Sequence, residues 1–509
     1  MTSPNRLIRL FPPGLLALTL MAVYLATLAP GLSWANYGSD GGDLITAAAT
    51  GGIAHPTGYP FYLLLARLFQ LLPVGSLAFR TNLLSAFATV SAALLIYGLV
   101  TRSLSASDPH RYWLAGLASG YAFGLSPLIW SQAVITEVYG LHALFLALLL
   151  YLTVIGLKAC LTPKRVDALL GLTFGLAMGN HVTTIIMLPV ILIAGILRQA
   201  PPTEGILRIN KWGLDGRSLL RRLVWMGVGL LVYLSLPLRA LSQPPVNWGK
   251  PVTIDGFLWL VSGKLYQGQL FVLSLSSIWE RVKVISGLLV EQFGVLGLGF
   301  GLIGLILFYK PDRLFRSLLW IVAASVFFAL AYATTDAFLY LIPAFLCFAI
   351  WIGMGLGGLM DVLSQRFRYL GSLITFVFIL ALFILAGQHW HQVDASHDLR
   401  AEKFGNDVFS LAPTDAIVFA AGDPAVFTTW YFQYTMGNRL DLAIVATDLL
   451  HFDWYQQMLH KNYPDLNVPG PFPFAETVVV ANPERPVCFV EYVQMAEIGC
   501  LPPRNPTVP

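Results

Sequence analysis

Charge is what this sequence has least of: Asp, Glu, Lys and Arg make up 11% of its 509 residues, against roughly a quarter in soluble domains. With 56% hydrophobic residues and a mean hydropathy of +0.69, the chain is no water-soluble globule. Acidic and basic residues nearly balance, 27 against 31, and a net charge of +4 lacks the basic excess of a nucleic-acid-binding protein. Cysteine is scarce too. Four cysteines in so long a chain make no disulfide scaffold, and no Cys-x-x-Cys or Cys/His spacing offers a zinc site. No fixed-period repeat or low-complexity tract is visible.

Long apolar runs are what the sequence does have. A helix needs about 20 apolar residues to cross a bilayer. Hydropathy marks eleven runs, at 12–30, 82–101, 112–131, 139–157, 166–180, 182–198, 223–241, 285–308, 317–333, 337–358 and 369–388. The expected fold is therefore mainly α, a polytopic membrane protein of about 11 transmembrane helices. Pro12 and Pro13 open the first run, and its Ala-Pro-Gly exit at 29–31 lacks an A-x-A cleavage site, so it reads as a retained helix.

Lys and Arg near membrane spans stay cytoplasmic. Placing the N-terminus inside puts eighteen of them inside, among them Arg102, Lys164, Arg208, Lys211, Arg222 and Lys310, against seven outside. An odd number of crossings then carries the C-terminus outward. From residue 389 charges return, and 416–421 (AIVFAA) and 442–447 (LAIVAT) read as short buried strands. Two domains are expected: a transmembrane domain over 1–388 and a small soluble α/β domain over 389–509 on the outer face. Cys488 and Cys500 lie in the latter, either bridged or as two buried thiols. The compact chain suggests a bacterial inner membrane.

Ionisable groups at membrane depth are expensive and survive mostly where they line a site. The first outer loop holds Asp40, Asp43 and His55 with no basic residue nearby in sequence, and a Gly-Gly pair between the two aspartates would let backbone approach a ligand closely. Alternatively, Asp43 caps a helix starting at Leu44, and HPTGYP, with Tyr59, is a tight turn. Both readings stay open here. Glu137 and His142 stand in TEVYGLH, and Asn180 and His181 in GNHVTT. One buried histidine is usually a satisfied core residue, but two with a glutamate on one membrane face point to a site. Arg239, Lys250 and Lys264 break the charge bias together, which suggests a phosphate or lipid headgroups at the surface. Asp336 and Tyr340 add a polar cluster before Pro343.

The run SDGGDLITAAATGGIAHPTGYPFYLLL at 39–65 resembles the signature of the transmembrane protein 260 family, usually Gly-Asp-Ser-Gly-Glu-Leu followed by Ala-His-Pro-Pro-Gly-Tyr-Pro. The likeness continues through RTNLLSA (80–86), TEVYGLH, GNHVTT, LPLRA (236–240), NWGKP (247–251) and QFG (292–294). It implies a GT-C glycosyltransferase that takes a sugar, such as mannose, from a polyprenyl-phosphate donor. Protein O-mannosylation is the activity of the animal member, and protein, glycan or lipid acceptors all suit the residues. Asp40 matches the family's first acidic position and so takes the role of catalytic base. Asp43 stands where the family usually has Glu, and Thr57 where it has a second proline.

An ordinary carboxylate, with a pKa of about 4, is ionised at neutral pH and able to take the acceptor's proton. No metal is demanded, although two outer carboxylates would suit a divalent cation. Expected partners are the lipid-linked donor, the acceptor and membrane lipids, with no nucleic acid. The rival classes are a secondary transporter, whose carboxylates and histidines would relay protons, and a non-catalytic cell-envelope scaffold.

Overall fold

The computed structural model describes residues 4–105, 108–193, 197–199, 212–307, 313–471, 473–492 and 496–503. Among these, eight helices are long and apolar enough to span a bilayer: Leu10–Thr27, Leu77–Leu104, Tyr139–Leu157, Gly216–Leu241, Leu275–Ile306, Arg313–Ala331, Ala337–Ser364 and Leu370–Val393. The chain is an integral membrane protein. The other three expected runs are shorter or broken. Residues 112–131 become Trp113–Gly124 and Pro127–Ala133, divided at a proline that lacks the N–H needed to continue a helix. Residues 166–180 fold as the 16-residue helix Pro163–Met178, and 182–198 begins as a 3-10 turn, Val182–Met187, before Leu188–Ile193. Residues 194–196 and 308 of the predicted spans, and Arg208, Lys211 and Lys310, lie outside the described residues.

The first helix runs Pro4–Thr27, with Pro12 and Pro13 inside it rather than at its start. Hydropathy marks where the apolar part begins, not where the helix does. Local chemistry fixes other starts. Ser76 Oγ accepts from Phe79 N at the head of Leu77–Leu104, and the Asp215 carboxylate accepts from Arg217 N and Ser218 N ahead of Gly216–Leu230.

Burial sorts the bundle. The span Ala337–Ser364 is 83% buried and Leu77–Leu104 78%, whereas Gly216–Leu241 is 17% buried and turns most of its apolar surface outward, as a lipid-facing helix does. Glycine permits the tightest crossing. A Cβ on Gly304 would collide with the Trp351 carbonyl, and one on Gly355 with that of Phe300, so Leu275–Leu307 and Ile342–Ser364 touch backbone to backbone. A buried ion pair ties two further helices, with Asp167 accepting from Ser218, Arg221 and Arg222.

Two short strands, β1 (Leu197–Gln199) and β2 (Trp212–Leu214), pair antiparallel. Beyond the last membrane helix a four-stranded sheet forms from β3 (Ile417–Ala421), β4 (Ala443–Ala446), β5 (Val487–Tyr492) and β6 (Ala496–Leu501), in the order β4-β3-β5-β6. β3 runs parallel to β4 and β5, and β6 antiparallel to β5. The two strands read from sequence are β3 and β4. Cys488 and Cys500 face each other across β5 and β6 and are disulfide-bonded; Cys160 and Cys347 are free thiols.

This sheet does not stand apart. Its core is continuous with Leu32, Trp34, Ile45 and Ile53 of the segment after the first helix, with Leu236 near the end of Gly216–Leu241, and with Trp248 and Leu260 in the segment beyond it. Asp398 Oδ2 accepts from Ser33 Oγ, Trp34 N and Ala35 N at 2.7–2.9 Å, and Asn462 Nδ2 donates to Pro245 O at 2.9 Å. A close backbone approach is at Gly42, in the helix Gly41–Thr50, where a Cβ would lie 2.5 Å from the carbonyl oxygen of Phe427. Of the Gly-Gly pair, Gly42 serves backbone contact with the C-terminal unit, while Gly41 faces Thr136 and Leu32. Gly42→Val is expected to cost about 1–3 kcal/mol through overpacking against an unyielding carbonyl. Thermal unfolding in detergent together with limited proteolysis checks this; a variant as stable and protease-resistant as the parent would contradict the docking role.

Candidate active site

A cavity of about 460 Å³ opens where the loop 31–60, the loop 262–270, the turn 332–340 and the C-terminal unit meet. Seven of the residues singled out from sequence line it: Asp40, His55, Tyr59, Glu137, His181, Asp336 and Tyr340. Asp40 stands at the head of Gly41–Thr50, with 36% of its side chain open. Burial is the main force on its carboxyl and raises its pKa above the usual carboxylate value; the His55 cation partly opposes this, while Asp43 and Asp336 add to it.

Asp43 does not line the cavity, and it does not cap the helix that carries it. Its side chain is fully buried, with Oδ2 accepting from His55 N and His55 Nδ1, each at 2.8 Å, and Oδ1 from Trp248 Nε1 at 3.1 Å. The other ring nitrogen, His55 Nε2, sits 3.4 Å from Asp40 Oδ2. A linear array results: Trp248, Asp43, His55, then Asp40 at the cavity wall. Burial alone would depress the His55 imidazolium, but Asp40, the Asp43 hydrogen bond and Asp423 outweigh it and raise the pKa to about 9. His55 is a cation at neutral pH, held between two carboxylates. The segment around it is a turn, as the second sequence reading has it, with Gly58 N bonded to His55 O at 2.8 Å.

The opposite wall is neutral and aromatic. Burial, and then the His55 charge, lower the pKa of His181 to about 4. Its Nδ1 accepts the backbone N–H of Thr183 at 3.3 Å, and since that group can only donate, the ring proton sits on Nε2. His181 lies among Tyr59, Tyr139 and Tyr340, with ring centroids 5.5–6.4 Å away. His142 packs behind it, 4.9 Å between centroids, and meets Thr184 Oγ1 at 3.3 Å. Burial, with Asp40 next, holds the Glu137 carboxyl well above the carboxylate range. Asn180, buried, donates to Val138 O.

The three expected phosphate cations lie off the cavity wall. Arg239 Nη1 donates to Gly52 O at 3.0 Å, Lys250 Nζ to Gln457 Oε1 at 2.6 Å, and Lys264 is exposed beside the lining residues Gly263 and Tyr266. No lysine or arginine appears among the lining residues. Nor, among the described residues, do three carboxylate, imidazole or thiol groups converge as a metal-binding set.

Sequence reasoning missed Tyr37, Tyr139, Tyr266, Tyr332 and Asp423, all on the wall. Asp423 had a usable signal. It ends the run AIVFAAGDP, an apolar strand leading through Gly-Asp-Pro into the helix Asp423–Trp430, and ligands of open α/β sheets gather at such strand ends. Burial and then Asp40 raise its pKa to about 6.

A sequence profile of the "Protein O-mannosyl-transferase TMEM260 N-terminal domain" matches residues 40–203, and one of "TMEM260-associated domain 2" matches residues 401–483. The chain is 28% identical over 477 residues to Protein O-mannosyl-transferase TMEM260 of Mus musculus, covering 88% of this chain and 64% of that protein. It is 24% identical over 520 residues to Protein O-mannosyl-transferase tmem260 of Dictyostelium discoideum, covering 90% and 59%. The chain therefore spans about 60% of the length of these relatives.

Among solved structures it is similar to ArnT from Cupriavidus metallidurans bound to undecaprenyl phosphate. That match has a TM-score of 0.58 at 13% identity, covering 96% of this chain and 93% of that one. The apo form of the same protein gives a TM-score of 0.57, again at 13% identity, over 94% and 92%. At this identity the likeness is one of fold, the GT-C fold implied by the sequence resemblance.

The buried array makes a direct prediction. Asp43→Asn removes the carboxylate that receives the His55 Nδ1 proton, so the His55 pKa is expected to fall from about 9 toward the ordinary ~6.5. Titration of 15N-labelled histidine checks this, and an unmoved His55 would show that Asp43 does not hold its proton.

Proposed function

We propose, from the two transmembrane protein 260 domain profiles that the chain matches, that it is a GT-C membrane glycosyltransferase of that family. In this reading it moves a hexose such as mannose from a polyprenyl-phosphate donor to an acceptor hydroxyl. The single observation that carries the proposal is Asp40: an open carboxylate on the wall of an aromatic cavity, backed by the His55 cation and the buried Asp43. Asp40 matches the acidic position to which the family's base is assigned.

The reaction is a direct displacement. Asp40 takes the proton of the acceptor hydroxyl, the new bond forms from that oxygen to the anomeric carbon, and the bond to the phosphate oxygen breaks with its electron pair leaving on the lipid phosphate. One displacement inverts the anomeric centre. His55 Nε2 lies 3.4 Å from Asp40 Oδ2, so it holds the carboxylate in place and offsets its charge. Leaving-group charge is met by neutral donors, His181 Nε2–H and the tyrosine hydroxyls, with Lys264 at the rim as the one cation assigned to the phosphate. Arg239 and Lys250 hold the loops that frame the cavity. Tyrosine rings and carboxylates suit a sugar, which offers C–H faces for packing and hydroxyls as donors.

Residues 1–388 form the membrane catalytic part in this reading and 389–509 an extracytoplasmic part, with the N-terminus cytoplasmic. The eighteen-to-seven asymmetry of cations in the sequence supports that orientation.

Transfer of radiolabelled mannose from polyprenyl-phosphate mannose into membrane extract tests the proposal. Asp40→Asn is expected to lower transfer by about 10²–10⁴-fold while donor binding persists. Wild-type levels of transfer in that variant would remove Asp40 from the mechanism. The proton acceptor must be ionised, so a raised Asp40 pKa places the acid limb of the rate profile above the ~4 of an exposed aspartate. A rate that stays flat down to pH 4 would contradict that assignment.

A further inference from the structure

Of the described residues lining the cavity, only Asp423 comes from the C-terminal α/β unit; the others lie from Tyr37 to Tyr340. Its position follows from the sheet. β3 and β4 run parallel and end together, β3 at Ala421 and β4 at Ala446, and the chain leaves each through a short turn with an aspartate. Asp448, after β4, accepts from Gly422 N at 2.9 Å and so fixes the turn that presents Asp423. One turn further along the same helix, Phe427 stacks on the His55 ring at 5.9 Å and 16°. The helix bearing Asp423 is thus registered against the array that holds Asp40.

Asp423 lines the cavity, and no hydrogen bond or ion pair occupies its carboxylate among the described residues. The charged groups that face it are Asp40, Asp43, His55 and Asp448. A carboxylate beside three like charges gains most from an N–H donor brought by a ligand. The two substrates approach from different sides. On the glycosyltransferase reading a lipid-linked donor comes from the bilayer, and Leu270, Phe328, Leu339 and Tyr340 supply apolar lining for it. An acceptor in water comes past the C-terminal unit.

Resting on the glycosyltransferase reading, we propose that Asp423 is the acceptor-binding residue of this cavity. It receives a main-chain N–H of a Ser- or Thr-bearing polypeptide and so brings the hydroxyl to Asp40. The C-terminal unit in this way selects the acceptor, and chemistry at the anomeric carbon does not require it.

Water, a second acceptor that has no peptide N–H, provides the control. Full-length wild type, Asp423→Asn and Asp423→Ala are assayed for transfer from polyprenyl-phosphate mannose to synthetic Ser/Thr peptides. Slow hydrolysis of the same donor is followed without peptide, and thermal unfolding confirms that the variants fold. The expected result is a rise of about tenfold or more in the peptide KM for Asp423→Ala, with the donor KM within about twofold of wild type and the hydrolysis rate lowered far less than peptide transfer. An unchanged peptide KM, or hydrolysis lost in parallel with transfer, would overturn the proposal. Wild type that hydrolyses the donor yet glycosylates no peptide would overturn the polypeptide acceptor alone. Absence of both reactions in wild type would sink the glycosyltransferase reading beneath it.

Discussion

A fully buried carboxylate has to be satisfied, and Asp43 is satisfied by three donors from two separate parts of the chain. An unpaired charge at that depth is prohibitively costly, so loop 31–60 and the loop carrying Trp248 are bound to adopt one arrangement around it. Two of the three hydrogen bonds come from His55, and His55 is what stands beside Asp40. The geometry of Asp40, a carboxylate that opens into the cavity, is therefore set by another that does not line it. Second-layer support of this kind is what holds a reacting group within the narrow tolerance that proton transfer needs.

The C-terminal unit closes over this arrangement. Its helix Asp423–Trp430 lies backbone to backbone on Gly42, stacks Phe427 on His55 and shares a hydrophobic core with both loops. Loops at a membrane surface are ordinarily the least ordered part of a bundle. Here they are packed from both sides, by the helices beneath and the sheet above, which excludes water from the Asp43 site and leaves the cavity as the open space. The polar balance of that cavity follows: carboxylates, the His55 cation and neutral hydrogen-bonding groups line it, and Arg239 and Lys250 are spent on a loop carbonyl and a side-chain amide.

The sequence by itself determined the class of molecule, because a helix in hydrocarbon must be apolar over a bilayer's thickness and that run is a one-dimensional property. It determined β3 and β4 for the same reason, as short apolar runs between charged helices. It also marked Asp40, His55, Glu137 and His181, since polar groups in apolar surroundings stand out whatever the fold does with them. Tertiary structure decided the rest. Whether Asp43 faces the cavity or His55, whether Arg239 meets a ligand or Gly52, and whether Gly42 meets a sugar or Phe427 all turn on which distant segment arrives opposite. Neither residue type nor spacing encodes that. Asp423 lies 383 positions from Asp40 in the chain and lines the same cavity in space. Only the docking of the C-terminal unit on loop 31–60 puts the two on one wall, because long-range packing is a sum over contacts that no local pattern contains.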